Sequence, residues 1–322
     1  SRIRLSSPLE GAFKQVASFP QVFPLAEPQG SPAADDANFS RPRPASRRSA
    51  DRNRSKRQRQ AREEIFGALR HRMVMRLHVI SDSLQAMVIL LGSPQLPVAA
   101  PISVARTSLE SGLLLDHEVG PGANGERLQR TVAAELWEIE QAYKASQILF
   151  RGRGPGVQST PWEVSMTPAA LVAKYREIRQ LAGAAGFTVD DAKKRKFAGE
   201  PAPSSVGFGQ VVTSIDVSTT RLAESVANPG VEVPKGHIEL LWSLCSGATH
   251  GAMWLAGSEL QRSVTTREFG GSEIVTATQA CLLGAMLAVR SCESYFAMDS
   301  DLSTSLNNRL RRLLRNVAPM LG

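Results

Sequence analysis

The sequence contains only three cysteines, Cys245, Cys281 and Cys292, and no Cys-x-x-Cys pair. An odd number of isolated cysteines in apolar stretches is typical of reduced core thiols, and it argues against a disulfide scaffold or a structural zinc site. The longest charge-poor run, residues 274–289, is shorter than the roughly 20 residues that span a bilayer. The first residues, SRIRLSSPLEGAFKQV, lack the apolar core of a secretory signal. We therefore expect a cytoplasmic protein without membrane insertion.

Motifs for nucleotide or metal chemistry are absent from the sequence. There is no HExxH, P-loop or GxGxxG motif, and neither glycine-rich stretch, 120–125 or 197–209, follows a predicted strand into a helix. His237 and Glu239 form a metal pair without a third ligand. The sequence therefore predicts neither a cofactor nor a metal site.

Positive charge is present, but it is concentrated in one segment. Residues 41–76 hold thirteen Lys and Arg against three acids, a local charge of +10, whereas the whole chain carries +8. Such a segment attracts nucleic acid, a ribonucleoprotein or an anionic surface, and a solvated tail is the alternative. A membrane surface is disfavoured because the segment has no apolar face. We expect RNA or DNA to contact residues 41–76 mainly through eight side chains: Arg47, Arg48, Arg52, Arg54, Lys56, Arg57, Arg59 and Arg62.

Residues 1–60 are rich in Pro, Ser and Arg without a sustained apolar period, which predicts a disordered basic arm. The pattern changes at Ala61. Apolar residues from Ile65 to Leu91 then recur at spacings of 4, 4, 4, 3, 4, 3 and 4, which predicts one face of a long helix. We expect removal of the arm to leave the melting temperature nearly unchanged.

Further helices are predicted along the rest of the chain. Glu126 begins a periodic segment, and Thr167-Pro168 supplies an N-cap with Pro at the first helical position. Additional helices are expected at about 102–115, 214–227, 237–257, 272–298 and 303–318. Residues 187–213 read as a long connection. The sequence thus predicts an all-α fold, a helical bundle of about seven or eight helices forming one domain over 61–322.

The stretch HIELLWSLCSGATHGAMWLAG, residues 237–257, combines helical periodicity with Gly247, Gly251 and His250. Small residues one turn apart let a second helix approach closely, so the glycines predict a packing joint. Ser246 and His250 lie one turn apart on this helix. They form a candidate polar cluster with the pair Arg106 and Glu110, spaced i and i+4.

The pairing of ARTSLESGLLLD with LLWSLCSGATHGAMW resembles helical proteins of high-GC actinobacteria, in which an R-x3-E helix accompanies an HG-containing helix. That arrangement is distantly similar to the HEPN-like superfamily, and the resemblance covers about residues 61–320. The superfamily includes metal-independent ribonucleases with an R-x4–6-H motif, whose spacing Arg72 and His78 meet. The resemblance implies these two as candidate catalytic residues, although Met73 replaces the polar residue usual after the Arg.

Two functions follow as expectations. The first is a non-enzymatic cytoplasmic helical protein that binds nucleic acid or a ribonucleoprotein or protein assembly through its basic arm, with self-association as a further partner class. The alternative is a HEPN-like metal-independent ribonuclease of the defence or toxin kind. Whether Arg72 and His78, or Arg106, Glu110 and His250, converge on an open cleft distinguishes the two.

Overall fold

The fold was obtained as a computed structural model of the chain. The structure describes these residues: 2–24, 26–40, 49–93, 100–123, 125–150, 164–189, 191–197, 200–203, 241, 271–298 and 300–317. The predicted helices at 214–227 and 237–257 lie outside the described residues, apart from Leu241, which is helical and buried.

Helices dominate the described residues, and the predicted all-α class is confirmed. Eight α-helices lie within the described residues: α1 Arg2–Ser18, α2 Pro32–Ser40, α3 Ser49–Gly92, α4 Ala100–Val119, α5 Glu126–Leu149, α6 Pro168–Ala185, α7 Gly271–Phe296 and α8 Leu302–Val317. A 3₁₀ helix, Phe19–Val22, follows α1 directly.

Helix α3 has the apolar face that its sequence predicts. All eight apolar residues of the stripe, from Ile65 to Leu91, are at most 3% exposed. The helix nevertheless begins at Ser49, twelve residues before the predicted start at Ala61. Its N-terminal turns carry basic residues instead of an apolar stripe, which is why periodicity alone missed them.

Two helix boundaries follow the local chemistry that the sequence predicts. Helix α5 begins at Glu126, as expected. At the start of α6, the Oγ1 atom of Thr167 accepts a hydrogen bond from the backbone N–H of Ala170 at 3.3 Å, and Pro168 occupies the first position. Helix α6 ends at Gly186, whose φ of +82° favours glycine.

The N-terminal residues differ from the predicted disordered arm. Residues 2–40 form α1, the 3₁₀ helix and α2, and residues 49–60 belong to α3. Leu9, Ala12, Val16 and Phe19 are at most 2% exposed. Their spacings of 3, 4 and 3 form a short apolar face, which the surrounding Pro, Ser and Gly residues obscure in a composition window.

Residues 187–213, predicted as a connection, contain a two-stranded antiparallel ribbon. Strand β1 spans Asp191–Phe197 and strand β2 spans Glu200–Pro203. Proline cannot donate to a strand ladder, and β2 carries two prolines in four residues. The ribbon is therefore short. The sequence did not predict strand β1, because its run of Lys and Arg lacks the alternating apolar residues that indicate a strand.

The chain forms two compact units, each assembled from separate segments. The first unit consists of Ser1–Pro32, His71–Gly120 and Phe208–Gly322, and the second of Ala33–Arg70 and Pro121–Gly207. Helix α3 thus contributes its C-terminal part to the first unit and its N-terminal part to the second. The single domain predicted over 61–322 stays a prediction.

In the first unit, α4 packs along α7. The Oγ atom of Ser108 donates a hydrogen bond to the carbonyl oxygen of Cys281 at 2.9 Å. One turn further along α4, Gly112 meets Gly284 of α7. Small residues on both helices allow this approach. The chain therefore does contain a glycine packing joint, while Gly247 and Gly251, where the sequence predicts one, lie outside the described residues.

In the second unit, α5 packs against α6 and the ribbon docks on both helices. The ring of Phe197 is 3% exposed and lies 4.8 Å from the ring centroid of Tyr143 and 4.3 Å from that of Tyr175. A buried ion pair joins Arg127 of α5 to Asp36 of α2, with Nε and Oδ2 2.7 Å apart. These contacts hold the ribbon on α5 and α6, and α2 on α5.

Candidate nucleic-acid interface

The basic turns of α3, defined here as Asn53–Gln60, belong to the second unit. Every side chain from Asn53 to Arg57 is exposed. From Asn53 onward, the first buried side chain of α3 is Ala61. Gln58 and Arg59 are half-buried, whereas Asn53–Arg57 are exposed to solvent with no apolar face to support them.

The basic side chains of these turns are distributed around the helix instead of along one face. Successive residues of an α-helix are about 100° apart, so Arg54, Lys56 and Arg57 point in three different directions. Arg59 is half-buried, and its Nε donates to the carbonyl oxygen of Ser55 at 3.1 Å. A helix charged around its circumference presents cations to an anionic partner from several directions.

Arg62, predicted to bind nucleic acid, has a structural role. Its Nε donates to the carbonyl oxygen of Ala185 at 2.9 Å, and its guanidinium lies 4.0 Å above the ring centroid of Phe39. Gln58 donates to the same carbonyl at 3.3 Å. Because the last carbonyls of a helix have no partner within it, α3 caps the C-terminus of α6. The Arg62 charge also complements the negative end of that helix.

The other predicted binding residues are distributed as follows. Arg54, Lys56, Arg57 and Arg59 lie on the basic turns. Arg52 lies one turn earlier on α3, and Arg47 and Arg48 lie outside the described residues.

The division into units separates the charge of the chain. The second unit contains 23 Lys and Arg against 14 Asp and Glu, a net charge of +9. The first unit contains 15 against 16, a net charge of −1. The electrostatic attraction for anions thus belongs to the second unit, although only part of its excess comes from α3.

Arg72 and His78, the candidate ribonuclease residues, lie on α3 within the first unit. The Nη2 atom of Arg72 is 2.8 Å from Oε1 of Glu118, and Nη2 of Arg76 is 2.6 Å from the same oxygen. The Glu118 side chain is fully buried, at 0% exposure. His78 is exposed on the helix. Arg72 is therefore part of a buried ion-pair cluster, and the structure shows no contact between it and His78.

The ionisation of Glu118 depends on its two arginine neighbours. Burial on its own would raise the pKa of this carboxyl, because desolvation penalises the charged form. The charges of Arg76 and Arg72, together with hydrogen bonds from both, more than offset the burial and hold the pKa below its usual value. Glu118 is consequently ionised at neutral pH.

Arg106 and Glu110 form the predicted i, i+4 pair on α4. The Nε atom of Arg106 lies 2.7 Å from Oε1 of Glu110, and the side chains are 19% and 21% exposed. Ser246 and His250, the other members of the predicted polar cluster, lie outside the described residues.

Sequence patterns did not reveal the two buried acids that pair with Arg72, Arg76 and Arg127. Glu118 lies 42 and 46 residues from its arginines, and Asp36 lies 91 residues from Arg127. Local spacing carries no information about such pairs, since only the tertiary fold brings them together. An available signal was the acid itself, because a Glu or Asp in an apolar helical face is almost never buried unless it is paired.

Among the residues that the structure describes, two helices have the length and composition to cross a membrane, namely Asn53–Gly92 and Ile274–Phe296. Core helices of ordinary globular proteins pass the same test, so this is weak evidence. In the second helix, 78% of the apolar window is buried inside the protein. Within the part of the chain that the structure describes, no three His, Cys, Asp or Glu residues form a group that could hold a metal ion.

Comparison with protein-family models, curated proteins and solved structures gives no match to this chain. The resemblance to actinobacterial and HEPN-like helical proteins therefore stays a prediction. Fold geometry and charge are the observations on which a function can be proposed.

Proposed function

We propose that the chain is a non-enzymatic helical protein that binds nucleic acid, alone or within a ribonucleoprotein assembly, through the basic turns of α3. The observation that carries this proposal is the complete exposure of Asn53–Arg57 on a regular helix that includes Arg54, Lys56 and Arg57. These turns have cationic side chains and no buried apolar face.

Physical chemistry gives such a helix a reason to bind a polyanion. Arg54 and Arg57, at i and i+3 on α3, are neighbours on the helix surface and repel each other. Phosphate groups relieve this repulsion, and each neutralised phosphate releases condensed counterions. The net charge of +9 on the second unit adds long-range attraction for the same partner.

The compartment proposed is the cytoplasm. Cys281 and Cys292 are buried thiols in the core of the first unit and form no disulfide. Burial raises the pKa of the Cys292 thiol, and the neighbouring Glu293 charge raises it further. A buried neutral thiol acts as a small apolar side chain, and its reduced state suits a reducing compartment.

The test measures binding by fluorescence anisotropy, with the full chain and labelled nucleic acids of about 20 nucleotides or base pairs, close to two duplex turns. The probes are duplex DNA and single-stranded RNA. The variant R54Q/K56Q/R57Q removes three exposed charges from the basic turns, and glutamine retains helix propensity close to that of Arg and Lys. We expect the logarithmic salt dependence of duplex binding to fall by about 2–3, because about 0.9 is lost for each phosphate contact.

A matched control removes three exposed charges from the first unit, in K14Q/R290Q/R312Q. This control should bind like the wild type, although its net charge changes by the same amount. Equal losses in both variants would show that net charge alone governs binding and would overturn the assignment to α3. Wild-type protein that binds neither probe would reject the proposed function.

The same titration tests the ribonuclease alternative, which no described contact favours. Cleavage of the RNA by the wild type, abolished in His78→Ala and retained in R54Q/K56Q/R57Q, would replace the binding function with an enzymatic one. We expect the RNA to remain intact in every variant.

A further inference from the structure

Strand β1 carries a second basic segment of the second unit. Four consecutive residues, Lys193, Lys194, Arg195 and Lys196, lie on this strand between Asp191 and Phe197. The sequence patterns placed them in a connection and assigned them no role. A run of four positive charges in the sequence attracts a polyanionic partner.

Phe197 anchors the basic strand to the helices of the second unit. Its ring is buried between the rings of Tyr143 on α5 and Tyr175 on α6. Aromatic contacts of this kind contribute about 0.5–1.5 kcal/mol each beyond the apolar area that they bury. Phe197 therefore holds β1 on the packed helices, at the position directly after the four basic residues.

Chain length limits how far this strand lies from the basic turns of α3. Gln58, within those turns, donates to the carbonyl oxygen of Ala185. From Ala185 to Lys193 the chain advances eight residues, which span at most about 28 Å. Because one turn of duplex measures about 34 Å, a single nucleic-acid molecule is long enough to contact both segments.

We infer that Lys193–Lys196 on β1 is a second phosphate-binding segment, which contacts the same nucleic-acid backbone as the basic turns of α3. This inference rests on the proposed function. A membrane surface fits less well: residues 49–60 contain no large apolar side chain, the Phe197 ring is buried, and surface-binding segments need an apolar face. Two linked segments raise the affinity because the second contact is intramolecular.

The test compares three triple variants of equal charge change by anisotropy: K193Q/K194Q/K196Q, R54Q/K56Q/R57Q and the control K14Q/R290Q/R312Q. The probes are duplex DNA of about 20 base pairs, single-stranded RNA of about 20 nucleotides and a duplex of about 6 base pairs, shorter than one turn. Anionic vesicles containing phosphatidylserine serve as a fourth probe. Circular dichroism and thermal melting confirm that each variant folds.

We expect the strand variant to weaken binding to the long duplex about tenfold or more and to lower its salt dependence by about 2–3. The short duplex offers fewer phosphate groups, so the loss in the strand variant should be smaller on that probe. Normal binding by the strand variant, with loss in the α3 variant, would reject the second segment and leave the proposed function intact. Loss in the strand variant alone would keep the strand contact and overturn the assignment to α3. Binding to vesicles in preference to nucleic acid would overturn both.

Discussion

Gly112 of α4 faces Gly284 of α7 so closely that a Cβ atom added to Gly112 would lie 2.8 Å from the Cα atom of Gly284. A Cβ atom on Gly284 would in turn lie 2.8 Å from the Cα atom of Leu109. The obstructing atoms belong to backbone and cannot rotate away. The two helices would have to separate, which would also strain the Ser108–Cys281 hydrogen bond.

The first prediction follows from this joint. Gly112→Ala or Gly284→Ala should lower the free energy of unfolding by about 1–3 kcal/mol, because the added methyl group overpacks the helix contact. Gly67→Ala is the control, since a Cβ atom there meets nothing within 4 Å. It should be stabilising by up to about 1 kcal/mol, from helix propensity. Chemical denaturation measures all three, and a neutral Gly284→Ala would contradict the joint.

The second prediction concerns Glu118. Glu118→Gln should destabilise the protein by about 3–5 kcal/mol, because it leaves Arg72 and Arg76 without their buried counter-charge. Glu110→Gln breaks the more exposed pair with Arg106 and should cost less than about 1 kcal/mol. Equal stability losses in the two variants, measured by urea denaturation, would show that the buried cluster contributes no more to stability than the exposed pair.

The third prediction is the pH dependence of the same cluster. The pKa of Glu118 is lower in the folded protein than its ordinary value of 4.5. Its contribution to stability is therefore complete above pH 4.5 and is lost as the pH falls through the folded pKa. The stability difference between wild type and Glu118→Gln should shrink as the pH falls below that value. A difference that stays constant down to the acid transition would contradict the lowered pKa.

The long helix α3 shows what the sequence could predict. A stripe of large apolar residues at helical spacing predicts that this face of the helix is buried. All residues of the stripe, from Ile65 to Leu91, are buried. Thr167 caps the start of α6 and Gly186 caps its end, each by chemistry that is local to the residue. Predictions of this kind need no knowledge of the partner element.

Other parts of the fold depend on partners that the sequence does not identify. Helix α1 has only a short apolar face, and it packs against α7 and α8. These tertiary contacts stabilise the helix. Arg62 belongs by spacing and charge to the basic segment, yet the end of α6 lies within hydrogen-bond distance of its side chain. Composition predicts that such a residue is charged and accessible, whereas the tertiary fold decides which group it contacts.

The fourth prediction separates Arg62 from its basic neighbours. Arg62→Gln should destabilise the protein by about 1–3 kcal/mol, because the cap on Ala185 and the contact with the Phe39 ring are lost. Lys56→Gln removes the same charge from an exposed position and should change stability by less than about 0.5 kcal/mol. In binding assays the order should reverse, with the larger loss for Lys56→Gln. Arg62→Gln that melts normally but loses binding would return Arg62 to the interface.

The fifth prediction concerns α1, which belongs to the arm whose removal the sequence predicts to leave the melting temperature nearly unchanged. Leu9 is fully buried, and Phe23, just after the 3₁₀ helix, lies 5.0 Å from the ring centroid of Phe296. Leu9→Ala should therefore cost about 2–5 kcal/mol, from lost apolar burial and the cavity that remains.

Val22→Ala provides the comparison for Leu9→Ala. Val22 is 58% exposed, so its truncation should change stability by less than about 0.5 kcal/mol. Removing residues 1–40 should lower the melting temperature while leaving the basic turns of α3 in the chain, because those turns begin at Asn53. Unchanged melting in both Leu9→Ala and the truncation would show that the N-terminal helices do not pack in solution, and the predicted disordered arm would then stand.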